Sequence, residues 1–302
     1  MDLKSKIILI YGPTASGKSK FAIKIAKKIN GEIVNADSMQ IYKELKILSA
    51  RPLKTDYKKI KHHLYGFHSV KKNFSTGNWL RLVKKKIKEI KKRKKTPILV
   101  GGTGLYFKAL TEGLVKIPNI PIKLRKNIRE LHKKLGPKKF FLRLKNLDPL
   151  AAKRINPLDS QRSIRAYEIK LFTKKSMYEW FKNTKSDFEK EDFYKILIDY
   201  PREKLINQIN IRSKNMIKNN AILEVKKFMK LNVPSSKTAQ KAIGVREIGA
   251  YINQNIQINE LIEKISIKTR QYAKRQTTWA RGNMIDWNKI DSTGLNKFLK
   301  KI

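Results

Sequence analysis

A chain of 302 residues, 40% of them hydrophobic, has room for one large domain or two smaller ones around a sizeable core. It contains no cysteine, which excludes disulfides and thiolate metal sites, and its four histidines (His62, His63, His68 and His132) lack zinc-like spacing. Against 24 Asp and Glu stand 70 Lys and Arg, a net charge of +46 whose field concentrates polyanions such as RNA, DNA or an anionic membrane surface.

The first apolar run, Ile7-Ile8-Leu9-Ile10-Tyr11, is continuous, as in a parallel strand buried on both faces. It is too short for a signal sequence or a membrane span and Gly12-Pro13 ends it, so no membrane association and a cytoplasmic location are expected. A glycine-bearing loop follows, then Phe21, Ala22, Ile25 and Ala26 at helical spacing. Glu32 to Ala36 reads as a second strand and Pro97 to Val100 as a third, closed by Gly101-Gly102. Strand, loop, helix, strand is the rhythm of a doubly wound parallel sheet, an α/β fold. Between the last two strands, VKKKIKEIKKRKK at 83–95 puts Val83, Ile87 and Ile90 on one helical face. That pattern predicts a helix covering the sheet with a solvated basic side, with a dedicated RNA contact as the alternative. Over-use of Lys, Ile and Asn, as an A/T-rich coding sequence produces, can account for much of the lysine excess but not for the scarcity of acids.

From Pro118 the pattern changes. Pro118, Pro121, Pro137, Pro149 and Pro157 punctuate a stretch rich in helix formers, and no strand pattern recurs before Phe193 to Ile198. This predicts a helical insertion domain at 118–190 within a core made of 1–117 and 191–302. Helices carrying Leu205, Ile209 and Met216, then Leu223, Val225 and Phe228, follow.

The loop after the first strand, Gly12-Pro13-Thr14-Ala15-Ser16-Gly17-Lys18-Ser19, fits G-x-x-x-x-G-K-[ST] at every fixed position and lies between a buried strand and an amphipathic helix. Its glycines let backbone N–H groups turn toward a phosphate. The helix N-terminus adds partial positive charge. Lys18 suits the terminal phosphates and the Ser19 hydroxyl suits Mg²⁺. The loop specifies a di- or triphosphate ligand without distinguishing kinase, GTPase or transferase.

Ligands of open α/β sheets bind outside the carboxyl ends of the strands, which brings Asp37 and Thr103 to the rim that holds the phosphate loop. Asp37 suits a metal or a proton there, and equally a helix N-cap for the stretch that follows. Gly101-Gly102-Thr103-Gly104 permits close backbone approach at the end of the third strand; the alternative is an ordinary turn with Thr103 as N-cap.

Together these stretches resemble the bacterial-type tRNA dimethylallyltransferase (isopentenyltransferase) family. GPTASGKS at 12–19, DSMQIY at 37–42 and GGTGLYFKAL at 101–110 are similar to its three core motifs. Asp148-Pro149 with Ala151-Ala152, Ile155, Pro157 and Asp159 resembles its D-P-x-x-A…I-x-P-x-D stretch. Gln161-Arg162 with Arg165-Ala166-Tyr167-Glu168, KAIGVRE at 241–247 and TRQYAKRQTTW at 269–279 match its later signatures. Val245 stands where the family has Tyr, Asn220-Ala221 where it has Gly-Leu, and Gln208 where an Arg precedes the Ile, with Arg212 or Lys204 as compensators.

The resemblance implies a P-loop core that holds dimethylallyl diphosphate, with Mg²⁺, instead of ATP. It implies transfer to N6 of the adenine 3′ of the anticodon, with Asp37 as base and Thr103 beside the reacting centre. Contacts to the tRNA anticodon stem-loop are expected from Asp37, Ser38, Met39, Gln40, Thr103, Arg125, Gln161, Arg162, Ser163, Ile164 and Arg165. Lys241, Gly244, Arg246, Arg270, Lys274, Arg275 and Gln276 complete that expected set, and the enzyme is expected to act as a monomer. A small-molecule P-loop kinase, a free-adenylate prenyltransferase and a noncatalytic RNA-binding protein with a vestigial loop are the rival readings.

Overall fold

The computed structural model describes residues 3–57, 59–291 and 294–302. The chain runs β1 (Ile7–Tyr11), α1 (Lys18–Lys28), β2 (Gly31–Asn35), β3 (His62–His63), α2 (Thr76–Lys92), β4 (Thr96–Gly101) and α3 (Gly104–Thr111). Four helices follow: α4 (Ile122–Leu147), α5 (Pro149–Ala152), α6 (Ser160–Thr173) and α7 (Met177–Phe181). The remainder is β5 (Phe193–Asp199), α8 (Arg202–Lys218), α9 (Ala221–Met229), α10 (Val245–Ile252), α11 (Ile258–Asn283), β6 (Asn288–Asp291) and α12 (Gly294–Lys301). Two compact units result: Met1–Thr111 with Phe188–Ile302, and Glu112–Asp187.

In the first unit all strands pair in parallel, in the order β3-β2-β4-β1-β5-β6. The central β1 is buried along its whole length, which its unbroken apolar run requires. Alternate side chains serve opposite layers. Ile8 and Ile10 pack with Phe21, Ala22 and Ile25 of α1, whereas Ile7, Leu9 and Tyr11 pack with Trp79, Val83 and Ile87 of α2. The basic helix α2 therefore covers the sheet with its apolar stripe. Its start is fixed by Ser75, whose hydroxyl accepts the Asn78 N–H at 3.1 Å. Burying each of its large apolar side chains is worth about 1.5–3 kcal/mol, which outweighs any few-tenths repulsion among the lysines opposite.

The second expected strand ends a residue earlier, at Asn35. There the side chain turns back, Nδ2 donating to the carbonyls of Asp37 (2.9 Å) and Leu64 (3.0 Å) while Oδ1 accepts the Asp37 N–H (2.9 Å). Asp37 thus lies beyond the strand, on a turn. The sequence signalled neither β3 nor β6. One has two residues, and the other is mostly exposed and polar, so neither carries a readable period.

The second unit begins at Glu112, not at 118, and ends at Asp187, not at 190. Gly113, at φ +94°, explains the displacement: a Cβ there would lie 2.2 Å from the Lys185 carbonyl oxygen, so the entering and leaving segments touch at these residues. Inside the unit, Phe140, Leu144, Ala151, Ile155, Ala166 and Ile169 are buried. α4 breaks at Gly136 (φ 71°, ψ 170°), immediately before Pro137, whose ring cannot continue a helix from the turn before. Among the described residues no helix is long and apolar enough to cross a membrane.

Candidate functional site

Between β1 and α1 the loop adopts the conformation its glycines permit. Gly17 lies at φ +77° and Ala15 at +65°, and no side chain caps α1. The first N–H groups of that helix therefore lack intrahelical acceptors and offer an anion site. Two loop amides are already engaged: the Thr14 N–H donates to Gln276 Oε1 at 2.8 Å and the Ser16 N–H to the Pro13 carbonyl at 3.3 Å. Lys18 Nζ donates to the Pro13 carbonyl at 3.1 Å. Its pKa is lowered to about 8, chiefly by burial; the Asp37 carboxylate opposes that shift and the Arg212 charge adds to it.

Asp37 serves the following turn and the cavity at once. Its Oδ1 accepts the Met39 N–H (2.8 Å) and, more weakly, the Gln40 N–H (3.4 Å). Oδ2 makes no hydrogen bond among the described residues. Thr103, at the end of β4, binds the same turn: Oγ1 accepts the Ser38 N–H at 2.9 Å and lies 3.3 Å from the Ser38 hydroxyl. Burial, with the Asp37 carboxylate adding to it, pushes the Tyr11, Tyr106 and Tyr272 phenols upward, so they stay neutral donors.

A cavity of about 1110 Å³ opens beside these groups. It is lined by the loop residues Thr14, Ala15, Gly17, Lys18 and Ser19, by Asp37, Ser38, Met39 and Gln40, and by Gln208, Arg212, Lys241, Tyr272 and Arg275. Arg212, on α8, donates through Nη1 to Thr14 Oγ1 at 2.9 Å, while its buried Nε has no partner. Ser16 Oγ is likewise buried without a partner. At the rim Glu224 accepts the N–H groups of Lys46, Ile47 and Leu48 at 2.8–3.0 Å, which fixes that loop. No group of three or more His, Asp or Glu suited to a metal occurs among the described residues.

Three of the residues expected to contact tRNA are buried. Gln276, 4% exposed, accepts from Thr14 N–H and donates through Nε2 to the Gly102 carbonyl at 2.8 Å; Tyr11 OH holds its backbone carbonyl at 2.9 Å. The amide is consumed in joining α11 to the phosphate loop and the glycine turn. Ser163 is 1% exposed on the inner face of α6. Gly244, at φ +102°, is a buried helix start that no side chain would tolerate without strain. Arg246, Lys274 and Arg275 are exposed, as are Gln161 and Arg162, and Arg270 and Ile164 are partly so. Sequence reasoning missed Tyr272 and the Glu224 anchor; the partners of Glu224 lie more than 170 residues away, beyond any local signal.

Comparison with known proteins bears on this arrangement. The tRNA dimethylallyltransferase of Pelagibacter ubique is 58% identical over 302 residues, covering 100% of this chain and 96% of that one. That of Rickettsia massiliae is 41% identical over 300 residues, covering 99% and 83%. Among solved structures, the tRNA delta(2)-isopentenylpyrophosphate transferase of Staphylococcus epidermidis superposes with a TM-score of 0.68 at 31% identity, covering 98% of this chain and 96% of that one. A eukaryotic dimethylallyltransferase acting on tRNA gives a TM-score of 0.82 at 27% identity, covering 97% and 75%. The family described as IPP transferase matches residues 40–283, and with a relative 58% identical across this whole chain, the chain belongs to the IPP transferase family.

Proposed function

We propose that the protein transfers a dimethylallyl group from dimethylallyl diphosphate to N6 of the adenine 3′ of the anticodon in tRNA, releasing diphosphate. The observation that carries this reading is the opening of the phosphate loop and of Asp37 onto one cavity, in a chain of this family. Adenine N6 is a poor nucleophile because its lone pair is delocalised into the ring. As the N6–carbon bond forms, the allylic carbon–oxygen bond breaks and its electron pair leaves with diphosphate. The N6 proton passes to Asp37, whose Oδ2 is free to take it while Oδ1 holds the turn. Lys18, Arg212 and the first amides of α1 stabilise the charge on the departing diphosphate, which is electrostatic catalysis by preorganised donors. Thr103 orients the turn that carries Asp37.

Magnesium fits this site in the manner of phosphate-bound Mg²⁺, which takes one or two protein oxygens and keeps substrate phosphates and waters. The Ser19 hydroxyl would hold it, and the ion would neutralise diphosphate charge. The adenine must leave the anticodon stack to reach the cavity, at a cost of a few kcal/mol. Arg125, Gln161, Arg162 and Arg165 on the second unit, and Lys241, Arg246, Arg270, Lys274 and Arg275 on the first, supply the offsetting RNA contacts in this reading. It also sets the protein in the cytoplasm, where tRNA is.

Mass analysis of nucleosides from tRNA incubated with the protein, dimethylallyl diphosphate and Mg²⁺ tests the proposal. A prenylated adenosine confirms it. Stoichiometric ATP hydrolysis with no modified nucleoside would turn the assignment to the kinase reading.

A further inference from the structure

In the second unit three arginines from two helices converge on one carboxylate. Arg125 and Arg129 stand four residues apart on α4, so they share a helical face. Arg165 and Glu168 stand three apart on α6. The Glu168 side chain is 1% exposed. Arg165 Nη1 donates to its Oε2 at 3.2 Å, Arg125 Nε lies 3.4 Å from the same oxygen, and Arg129 Nε lies 3.7 Å from Oε1. The arginines themselves remain 42%, 56% and 41% exposed, in the order Arg125, Arg129, Arg165.

A single arginine would suffice to neutralise the Glu168 charge. Three against one carboxylate leave an excess of positive charge held in a small area. Each guanidinium has five N–H donors, and the carboxylate engages few of them. Glu168 Oε1 and Arg125 Nε, both buried, have no hydrogen-bond partner, so the cluster is held by charge more than by saturated pairing. Guanidinium forks match phosphate oxygens in geometry and charge.

We propose that Arg125, Arg129 and Arg165 form a preassembled site for one backbone phosphate of the RNA, and that Glu168 is its positioning residue. This rests on the reading that the protein acts on tRNA and adds to it the ligand group, a further arginine and an acid that promotes RNA binding. The carboxylate fixes three long side chains in advance, which removes the ordering cost that each would otherwise meet on binding. The sign of the effect is distinctive. Neutralising Glu168 raises the positive charge of an already basic chain, which diffuse electrostatics would read as tighter binding to every RNA. Loss of positioning predicts the reverse for the RNA that docks in register.

The test uses the full-length protein and compares wild type with Glu168→Gln and Arg129→Ala, binding an anticodon stem-loop and an unrelated hairpin at several salt concentrations. KM for tRNA and for dimethylallyl diphosphate and the melting temperature are measured alongside. Glu168→Gln is expected to weaken stem-loop binding roughly tenfold, the scale of one charge-assisted hydrogen bond, and to raise KM for tRNA alone. The hairpin should bind as well as before or better. Arg129→Ala, at an exposed position, should lower stem-loop affinity and reduce the slope of log affinity against log salt by about 1. Stem-loop binding by folded Glu168→Gln as tight as wild type would overturn the positioning role. If that variant does not fold, an unchanged affinity and salt slope in Arg129→Ala would overturn the site. Wild-type protein that binds the stem-loop but leaves tRNA unmodified would defeat the functional reading, while the salt slopes still decide the phosphate site.

Discussion

Asp37 was open to two readings, a cap for the next turn or a group of the reacting site: Oδ1 performs the first task, and in the proposed reaction Oδ2 would perform the second. That division selects the informative substitution. Asp37→Asn keeps an Oδ1 able to accept the Met39 N–H but removes the base, so single-turnover prenylation should fall about 10²–10⁴-fold with tRNA binding little changed. Asp37→Ala should add a loss of stability of about 0.5–2 kcal/mol, as for other caps of this kind, seen as a lower denaturation midpoint. Wild-type turnover by Asp37→Asn would rule out the base. Lys18 makes a pH prediction. Its pKa of about 8 lies below the ordinary 10.5, so the free protein loses the ammonium as pH rises through about 8. In the proposed reaction dimethylallyl diphosphate would recruit the charged form. The pH profile of kcat/KM for that substrate should therefore bend downward above about pH 8, approaching tenfold per unit, while kcat, which reports the complex, stays level. Lys18→Arg, charged throughout, should lack the bend. A lysine depressed in the fold is also a destabilising charge below about pH 8, relieved as pH rises toward its unfolded value.

At the scale of elements, α11 is the brace of the site. Gln276 on that helix joins the phosphate loop to the β4–α3 turn, and the fit is tight: a Cβ on Gly102 would lie 2.1 Å from Gln276 Nε2. Gly102→Ala must push the amide away, and Gln276→Ala removes it. Each should raise KM for dimethylallyl diphosphate, and Gln276→Ala should also cost about 1–3 kcal/mol of stability, because the Gly102 carbonyl loses a buried partner. Since the two changes act on one contact, the double variant should be less impaired than the product of the singles. Full additivity in a double-mutant cycle would show that the brace does not position the loop. The basic helix α2 has the opposite character. Its structural contribution lies in Trp79, Val83, Ile87 and Ile90, and its lysines face outward.

For the whole molecule, the +46 charge predicts binding to any RNA, weakening steeply with salt through counterion release. Individual positions should depart from that background. Arg162, 68% exposed at the first turn of α6, is expected to contact the anticodon loop. Arg162→Ala should raise KM for tRNA and leave binding of an unrelated hairpin nearly unchanged. Replacing Lys85 and Lys88 on α2 with alanine should instead cause a small loss shared by all RNAs, since phosphate contacts carry no sequence information. Equal effects of the two variants on stem-loop and hairpin, titrated at matched salt, would leave only diffuse electrostatics.

The amino-acid sequence by itself determined the central strand, the phosphate loop, the helix over the sheet and the helical character of the insertion. Each is encoded in consecutive residues: an unbroken apolar run, eight residues with two glycines, an apolar stripe at helical period, and prolines among helix formers. It also brought Asp37 and Thr103 to one rim, because strand ends in a parallel sheet share an edge. Tertiary structure alone decided who answers whom. Gln276 takes the amide of Thr14 from 262 residues away, Glu224 anchors residues 46–48, and three arginines choose Glu168. It likewise decided that Gln276, Ser163 and Gly244, which the motif match places among the tRNA contacts, are buried. The physical reason is that local pattern fixes backbone conformation and the face a side chain occupies, whereas a long-range polar partner depends on how all the packed elements bring their faces together.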